Sequence, residues 1–317
     1  MAEKILSICI PTYNRAEILD CTLSHLVNET AFLEGKVEIC ISNNASTDHT
    51  EEVVMKYIAQ FNDGIIYHKN KKNTEIIDGN FPIVAQLASG TFIKFLNDYA
   101  YFRPEELDKM INLIEQSIEK KELLFFSNGN IIENNNEFIF CNNFNEFVSN
   151  ASYWTTWVLC AGFWKEDFDK IQNRDRFIDK FMWCPDNYFK LVYSGRKTII
   201  YNKSFCEIQN LKSKGGYNPF FVFGINYLSL YMEYLDNHML NKNIYKKEKY
   251  KLFRHYLLNL YYLYVIAKSK DNFSFNNTNA FKNLLVNYKF NLYFYLGIGY
   301  KYIYYQFTKI YKLFFKF

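Results

Sequence analysis

The 317-residue chain lacks the short signatures that usually declare a phosphate or acyl chemistry. It has no G-x-G-x-x-G, no Walker loop and no G-x-S-x-G elbow, so the dinucleotide fingerprint, the P-loop and the α/β-hydrolase nucleophile are all missing. It has no C-x-x-C pair either. Its seven cysteines are scattered at 9, 21, 40, 141, 160, 184 and 206. Several lie inside apolar runs, such as Cys9 in "LSICI" and Cys40 in "VEICIS". That usage predicts reduced core thiols in a cytosolic protein, not a disulfide frame or a zinc site. No stretch of about 18 uncharged apolar residues occurs, so no transmembrane helix is expected. Met1–Lys4 leads straight into a strand-like run, and no export signal is expected. Acids stop at Asp271, while Lys282, Lys289, Lys301, Lys309, Lys312 and Lys316 follow. A net charge of only +4 argues against a nucleic-acid partner.

What the chain does have is apolar substance. Hydrophobic residues make up 49% of it, enough for a sizeable core without disulfides. Over the first 130 residues short apolar runs alternate with helical patterns. The runs are "ILSICI" (5–10), "VEICIS" (37–42), "GIIYH" (64–68), "FIKFL" (92–96) and "ELLFFS" (122–127). Asp48 and Glu51 fit a capping box, and Pro104 marks a first helical turn. Leu107, Met110, Ile111, Ile114 and Ile118 recur at helical spacing. Repeated βα units of this length predict an α/β fold, a mostly parallel central sheet with helices on both faces. Ligands then sit at the carboxyl ends of the strands. Those ends carry "PTYN" (11–14), "SNNASTD" (42–48), "KNKKN" (69–73) and "NDYAY" (97–101), all rich in polar side chains.

Four segments, in order, resemble the inverting family-2 glycosyltransferases of the GT-A (Rossmann-like) fold. "SICIPTYNR" is similar to the family's opening strand and nucleotide loop, and "ICISNNASTDHT" to its second strand. "NKKNTEIIDGNFPIVAQLASGTFIKFLND" resembles the stretch leading into the metal motif, and "CPDNYFKLVYSGRKTIIYN" (184–202) the region of the catalytic acid. Together they span roughly residues 5–205. The resemblance divides the chain into a nucleotide-sugar-binding and catalytic domain, 1–205, and a helical, aromatic- and Lys-rich region, 206–317.

The resemblance implies roles residue by residue. Pro11, Thr12, Tyr13 and Arg15 fall in the nucleotide loop. Asn44, with Asn43 just before it, stands where an acid often reads the base edge; an amide pairs with uracil, or with cytosine after rotation. Asn73 takes the place of the usual Asn-Gly asparagine, with Thr74 instead of glycine and Asp78 a little beyond. Asn97 and Asp98 stand at the metal motif, and Asp98 is the implied ligand of a weakly held Mg2+ or Mn2+. Tyr99 and Ala100 replace the acids that usually follow, and a turn cap is the other reading of Asp98. Asp186 is the implied base that takes the acceptor's proton, although Pro185 replaces its usual Glu companion and an N-cap would equally suit it. Trp154, Trp157 and Trp164 lie where relatives shape an acceptor pocket, or are core aromatics.

The expected activity is transfer of a sugar, with inversion, from a nucleotide-sugar donor (most readily a UDP-sugar) to a glycan or lipid-linked acceptor. The setting implied is synthesis of bacterial surface polysaccharide such as capsule. The alternative is a degenerate domain that binds nucleotide or partners without turnover. The final stretch "NLYFYLGIGYKYIYYQFTKIYKLFFKF" interleaves lysines with aromatics. It either lies on the inner face of the cytoplasmic membrane as a peripheral anchor or packs on the domain as a helix.

Overall fold

The computed structural model describes residues 4–61, 63–211, 214–269 and 273–314. The chain divides into two compact units, Met1–Asn210 and Leu211–Phe317.

The first unit is built on β1 (Leu6–Thr12), β2 (Val37–Asn43), β3 (Ile65–Lys69) and β4 (Phe92–Phe95), joined by helical crossovers that include α1 (Ala16–Leu26), α2 (Thr50–Gln60) and α3 (Phe81–Gln86). These strands form a sheet in the order β3-β2-β1-β4, and β8 (Gly162–Trp164) closes it beyond β4. The first four pair in parallel, while β8 runs antiparallel to β4. The apolar runs read as strands because helices cover both faces. β2 is buried at every position, as a central parallel strand should be, whereas the edge strand β3 is half open.

The register brings the polar ends level. Thr12 stands opposite Asn43, and Asn43 opposite Lys69. At the other end of the strands Glu38 is buried and fully bonded. It accepts from Ser7 Oγ at 2.5 Å, from Ser89 Oγ at 2.7 Å and from the Ser89 amide at 2.6 Å. Gly90 belongs to this knot. A Cβ there would come within 2.9 Å of the Ser7 backbone nitrogen, so only glycine fits.

Two expectations from sequence need correction. "ELLFFS" does form a strand, β6 (Leu123–Phe126), but not in the central sheet: it joins β9 (Thr198–Tyr201) and β7 (Phe138–Cys141) in a separate three-stranded sheet. Strand β8 takes the edge beside β4, and apolarity alone cannot tell which sheet an all-buried strand will enter. The Asp48–Glu51 capping box is also not formed. Asp48 bonds the Thr50 amide at 3.1 Å, while Glu51 reaches Lys69 instead.

A short antiparallel pair, β5 (Ala100–Phe102) with β10 (Cys206–Ile208), starts two residues beyond Asp98 and carries the first unit past residue 205. Helix α4 (Glu106–Ser117) buries Leu107, Met110, Ile111 and Ile114, while Ile118 stays exposed as its C-cap. Helix α5 (Trp183–Tyr193) packs through Trp183 against Phe81, Phe95 and Phe168.

The second unit is largely helical. Residues 242–266 bury one face, with Leu252, Phe253, Leu257 and Leu258 inside. The helix Leu292–Phe314 leaves apolar side chains exposed along most of its length. Among the described residues, no helix is long and apolar enough to cross a membrane.

Candidate functional site

At the end of β1 the chain turns sharply, with Asn14 in the left-handed region (φ 50°), and the turn is clasped to the end of β2. The Asn14 amide donates to Ser46 Oγ at 2.8 Å, and the Thr47 amide donates to Asn14 Oδ1 at 2.8 Å. The Ala16 amide, at the start of α1, donates to Asp48 at 3.1 Å. This clasp presents Tyr13 to solvent at 44% exposure and leaves Thr12 buried beneath it.

Asp98 lies beyond the end of β4 and is nearly buried, at 3% exposure. Its Oδ2 accepts from Thr12 Oγ1 at 2.9 Å, and its Oδ1 accepts from Arg15 Nη1 at 2.7 Å. Its main-chain oxygen accepts from Thr22 on α1 at 2.9 Å. The Arg15 guanidinium stands 5.4 Å from the centroid of the Tyr99 ring. Next to this pair, Asn97 Oδ1 accepts from Trp157 Nε1 at 3.1 Å, and the Trp154 ring lies 6.3 Å from Trp157. The fold thus brings Thr12, Arg15, Asn97, Asp98 and Trp157 together. Trp164 is a core residue instead: it is 2% exposed, edge-on to Phe92, and its indole donates to the Glu122 carbonyl.

The asparagines at the ends of β2 and β3 form a closed amide network. Asn44 Oδ1 accepts from Asn70 Nδ2 at 2.9 Å and from the Thr74 amide at 3.0 Å. Its Nδ2 donates to Thr74 Oγ1 at 3.1 Å and to Asn73 Oδ1 at 3.3 Å. Asn43 Oδ1 accepts from the Ser46 amide, and its Nδ2 donates to the Tyr67 hydroxyl. Asn80, buried, completes the knot by bonding Ser42 and Asn70. Both atoms of the Asn44 amide are therefore already engaged in shaping the 70–74 loop. The parts Asn14, Asn70 and Asn80 play here are not legible in the sequence, because an asparagine in a loop carries no marker of which amide it will meet.

Asp78 and Asp186 belong to a second cluster, around the start of α5. Asp78 is buried and accepts from the Trp183 amide at 3.0 Å; burial pushes its carboxyl up to about 7, against the lowering effect of that bond. Asp186 is fully buried. It is not an N-cap, since the helix already begins at Trp183. Arg176 Nε donates to both of its oxygens at 3.0 Å, Arg176 Nη2 donates to Oδ1 at 2.5 Å, and Lys190 pairs with Oδ2 at 2.9 Å. Arg176 is 36% exposed and rises from the irregular turns between Ile171 and Met182.

The donor set for a divalent cation is thin. Such a cation on a diphosphate asks for several hard oxygen ligands. Asp98 is one carboxylate with both oxygens engaged, and among the described residues no three His, Cys, Asp or Glu side chains are grouped to hold a metal. As arranged, these residues do not fit the Mg2+ or Mn2+ expected on Asp98.

Comparison with known proteins places this geometry. The model of the Glycosyl transferase family 2 matches residues 7–186. Over 88 residues the chain is 43% identical to the abequosyltransferase RfbV of Salmonella typhimurium, a stretch covering 28% of this chain and 26% of that protein. It is 30% identical over 115 residues to an uncharacterized glycosyltransferase of Mycoplasma pneumoniae, covering 35% of this chain and 37% of the relative. The matched stretches thus span only 26% and 37% of those relatives' lengths. Among solved structures, S. aureus TarS 1–349 in complex with UDP superposes with a TM-score of 0.60 at 16% identity, covering 94% of this chain and 89% of that one. The mannosyltransferase PcManGT of Pyrobaculum calidifontis, in complex with GDP-Man and Mn2+, gives a TM-score of 0.56 at 12% identity, covering 96% and 88%. The likeness is one of fold, GT-A.

Proposed function

The chain belongs to glycosyl transferase family 2, and we propose that it moves a sugar from a nucleotide-sugar, most readily a UDP-sugar, to a hydroxyl of a glycan or lipid-linked acceptor with inversion. The observation that carries this reading is the convergence of the β1 loop, the amide network and Asp98 with Arg15 at one edge of the sheet. In the reaction the acceptor oxygen bonds the anomeric carbon from the face opposite the diphosphate. The bond from that carbon to the β-phosphate oxygen breaks, and its electron pair leaves on the diphosphate. The acceptor's proton passes to a carboxylate, for which Asp186 is the candidate. The UDP complex of the similarly folded TarS and the residues carried over from the family resemblance support the nucleotide-sugar side of this reading. The product class in this reading is bacterial surface polysaccharide, as the family resemblance implies.

Calorimetric titration with UDP, CDP and GDP tests the donor side. UDP is expected to bind about tenfold or more tightly than the others, and turnover of a UDP-sugar panel should follow it. If none of the three binds, the transferase reading fails. A second reading, a nucleotide-binding module without turnover, draws on the buried, doubly paired Asp186. It predicts tight UDP binding with no sugar transferred or hydrolysed from any donor.

The acceptor side concerns the helix Leu292–Phe314. It exposes Tyr300, Tyr302, Ile303, Phe307 and Ile310, and the sequence beyond Asp271 carries lysines and no acid. This reading places the protein in the cytoplasm, at the inner face of the membrane, with rings in the interface and lysines toward anionic headgroups. The full chain is expected to sediment with vesicles containing phosphatidylglycerol and to be released by salt. The pair Lys301→Glu and Lys309→Glu should cut that binding by at least about tenfold, at roughly 1 kcal/mol per lysine. Equal binding to neutral vesicles, or none to anionic ones, would sink the idea.

A further inference from the structure

We infer that Arg15, held by Asp98, takes at this strand end the part a divalent cation would otherwise play, donating to the donor's diphosphate so that binding needs no metal. The inference rests on the nucleotide-sugar reading above. It starts from what Asp98 is doing. Both its oxygens are engaged, by Arg15 at 2.7 Å and Thr12 at 2.9 Å, and its own carbonyl is bonded by Thr22. The neighbouring side chains offer no second carboxylate: Asn97 accepts from Trp157, and Tyr99 and Ala100 follow.

Arg15 is built to be used. One nitrogen, Nη1, is spent on Asp98, and the backbone amide donates to Thr50 Oγ1 at 3.3 Å. Nε and Nη2 have no hydrogen-bond acceptor among the described residues, and the side chain is 26% exposed. A guanidinium fixed at one corner with two further nitrogens available to donate has the fork geometry that phosphate oxygens accept. Tyr99 then has a purpose. An acid at that position would recruit a cation, whereas the Tyr99 ring, 5.4 Å away, braces the guanidinium by a cation–π contact. The Arg15–Asp98 pair is neutral as a unit, so it supplies directed donors in a half-buried site in place of net charge.

The test titrates UDP into the full-length chain by calorimetry, once in EDTA and once in excess Mn2+, and repeats both with Arg15→Ala and Arg15→Lys. Expected for the unaltered protein are affinities within about twofold of each other in the two conditions. Arg15→Ala should lose at least about tenfold in EDTA, the worth of a hydrogen bond to a charged group, and Mn2+ should restore part of it because Asp98 is then uncovered. Arg15→Lys, which keeps a cation on Asp98 and so guards against a folding defect, should lose affinity in EDTA without recovery by Mn2+. UDP binding by the unaltered chain that requires Mn2+, or equal binding by Arg15→Ala in EDTA, overturns the inference alone. Absence of any nucleoside diphosphate binding in either condition overturns the nucleotide-sugar reading, and this inference with it.

Discussion

Asp186→Asn is expected to lower the rate of sugar transfer about 10²- to 10⁴-fold, the range for losing a general base, while UDP affinity stays within about twofold. The substitution is nearly isosteric, so packing inside α5 is kept. What is lost is a charge between two cations. Arg176 binds both carboxylate oxygens at 3.0 Å and Lys190 approaches to 2.9 Å, while Asp186 itself is fully buried. A carboxylate clamped in this way does not face an acceptor. For it to take a proton, the Arg176 fork has to turn off it, and Arg176 is placed to do so, 36% exposed on the irregular turns before the helix. A base role and a purely structural role therefore separate cleanly. Breaking a fully buried pair costs about 3–5 kcal/mol, less here because both cations reach solvent. If Asp186 only anchors the turns, Asp186→Asn lowers the melting temperature while the folded fraction keeps its turnover. Single-turnover rates well below the melting transition, with calorimetry to fix the folded fraction, decide between the two. Unchanged turnover per folded molecule would remove Asp186 from the chemistry.

The largest effect on stability is expected at Lys94. This lysine sits in the middle of β4 with no exposed surface. Its Nζ donates to the carbonyls of Leu159, Phe95 and Ala161, and lies 5.3 Å from the ring centroids of both Phe126 and Phe205. It thereby ties the central sheet to the turn that carries Trp157 toward Asn97. Lys94→Ala should destabilise the first unit by roughly 3–5 kcal/mol, combining a cavity with carbonyls left short of a donor. Lys94→Met keeps the volume and should cost less.

Burial pulls the Lys94 ammonium down to about 8 from its usual 10.5, and that gives a pH signature. The folded state binds fewer protons than the unfolded one between those values. The stability this group contributes is thus present above pH 10.5 and lost as pH falls through 8. Relative to Lys94→Met, the unaltered protein should gain roughly 2 kcal/mol between pH 7 and 9.5 in urea unfolding. A difference between the two that does not change with pH would mean the lysine is charged and fully compensated where it lies.

The sequence by itself determined the elements whose cause is local or periodic. The runs at β1, β2 and β4 are apolar because helices cover both faces of a parallel sheet, so strand identity and the polar ends at Thr12, Asn43 and Asp98 were legible together. The spacing of Leu107, Met110, Ile111 and Ile114 gave α4 for the same kind of reason. Four ordered segments were enough for the family, since order along the chain is a property of sequence alone. Only the tertiary structure decided which side chains meet. It moved β6 to a second sheet, closed the Asn44 amide onto Asn70 and Thr74, put Trp164 into the core and covered Asp186 with Arg176. Each of these is set by a partner distant along the chain. Arg15 lies 83 positions from Asp98, and no local pattern records that the two side chains meet.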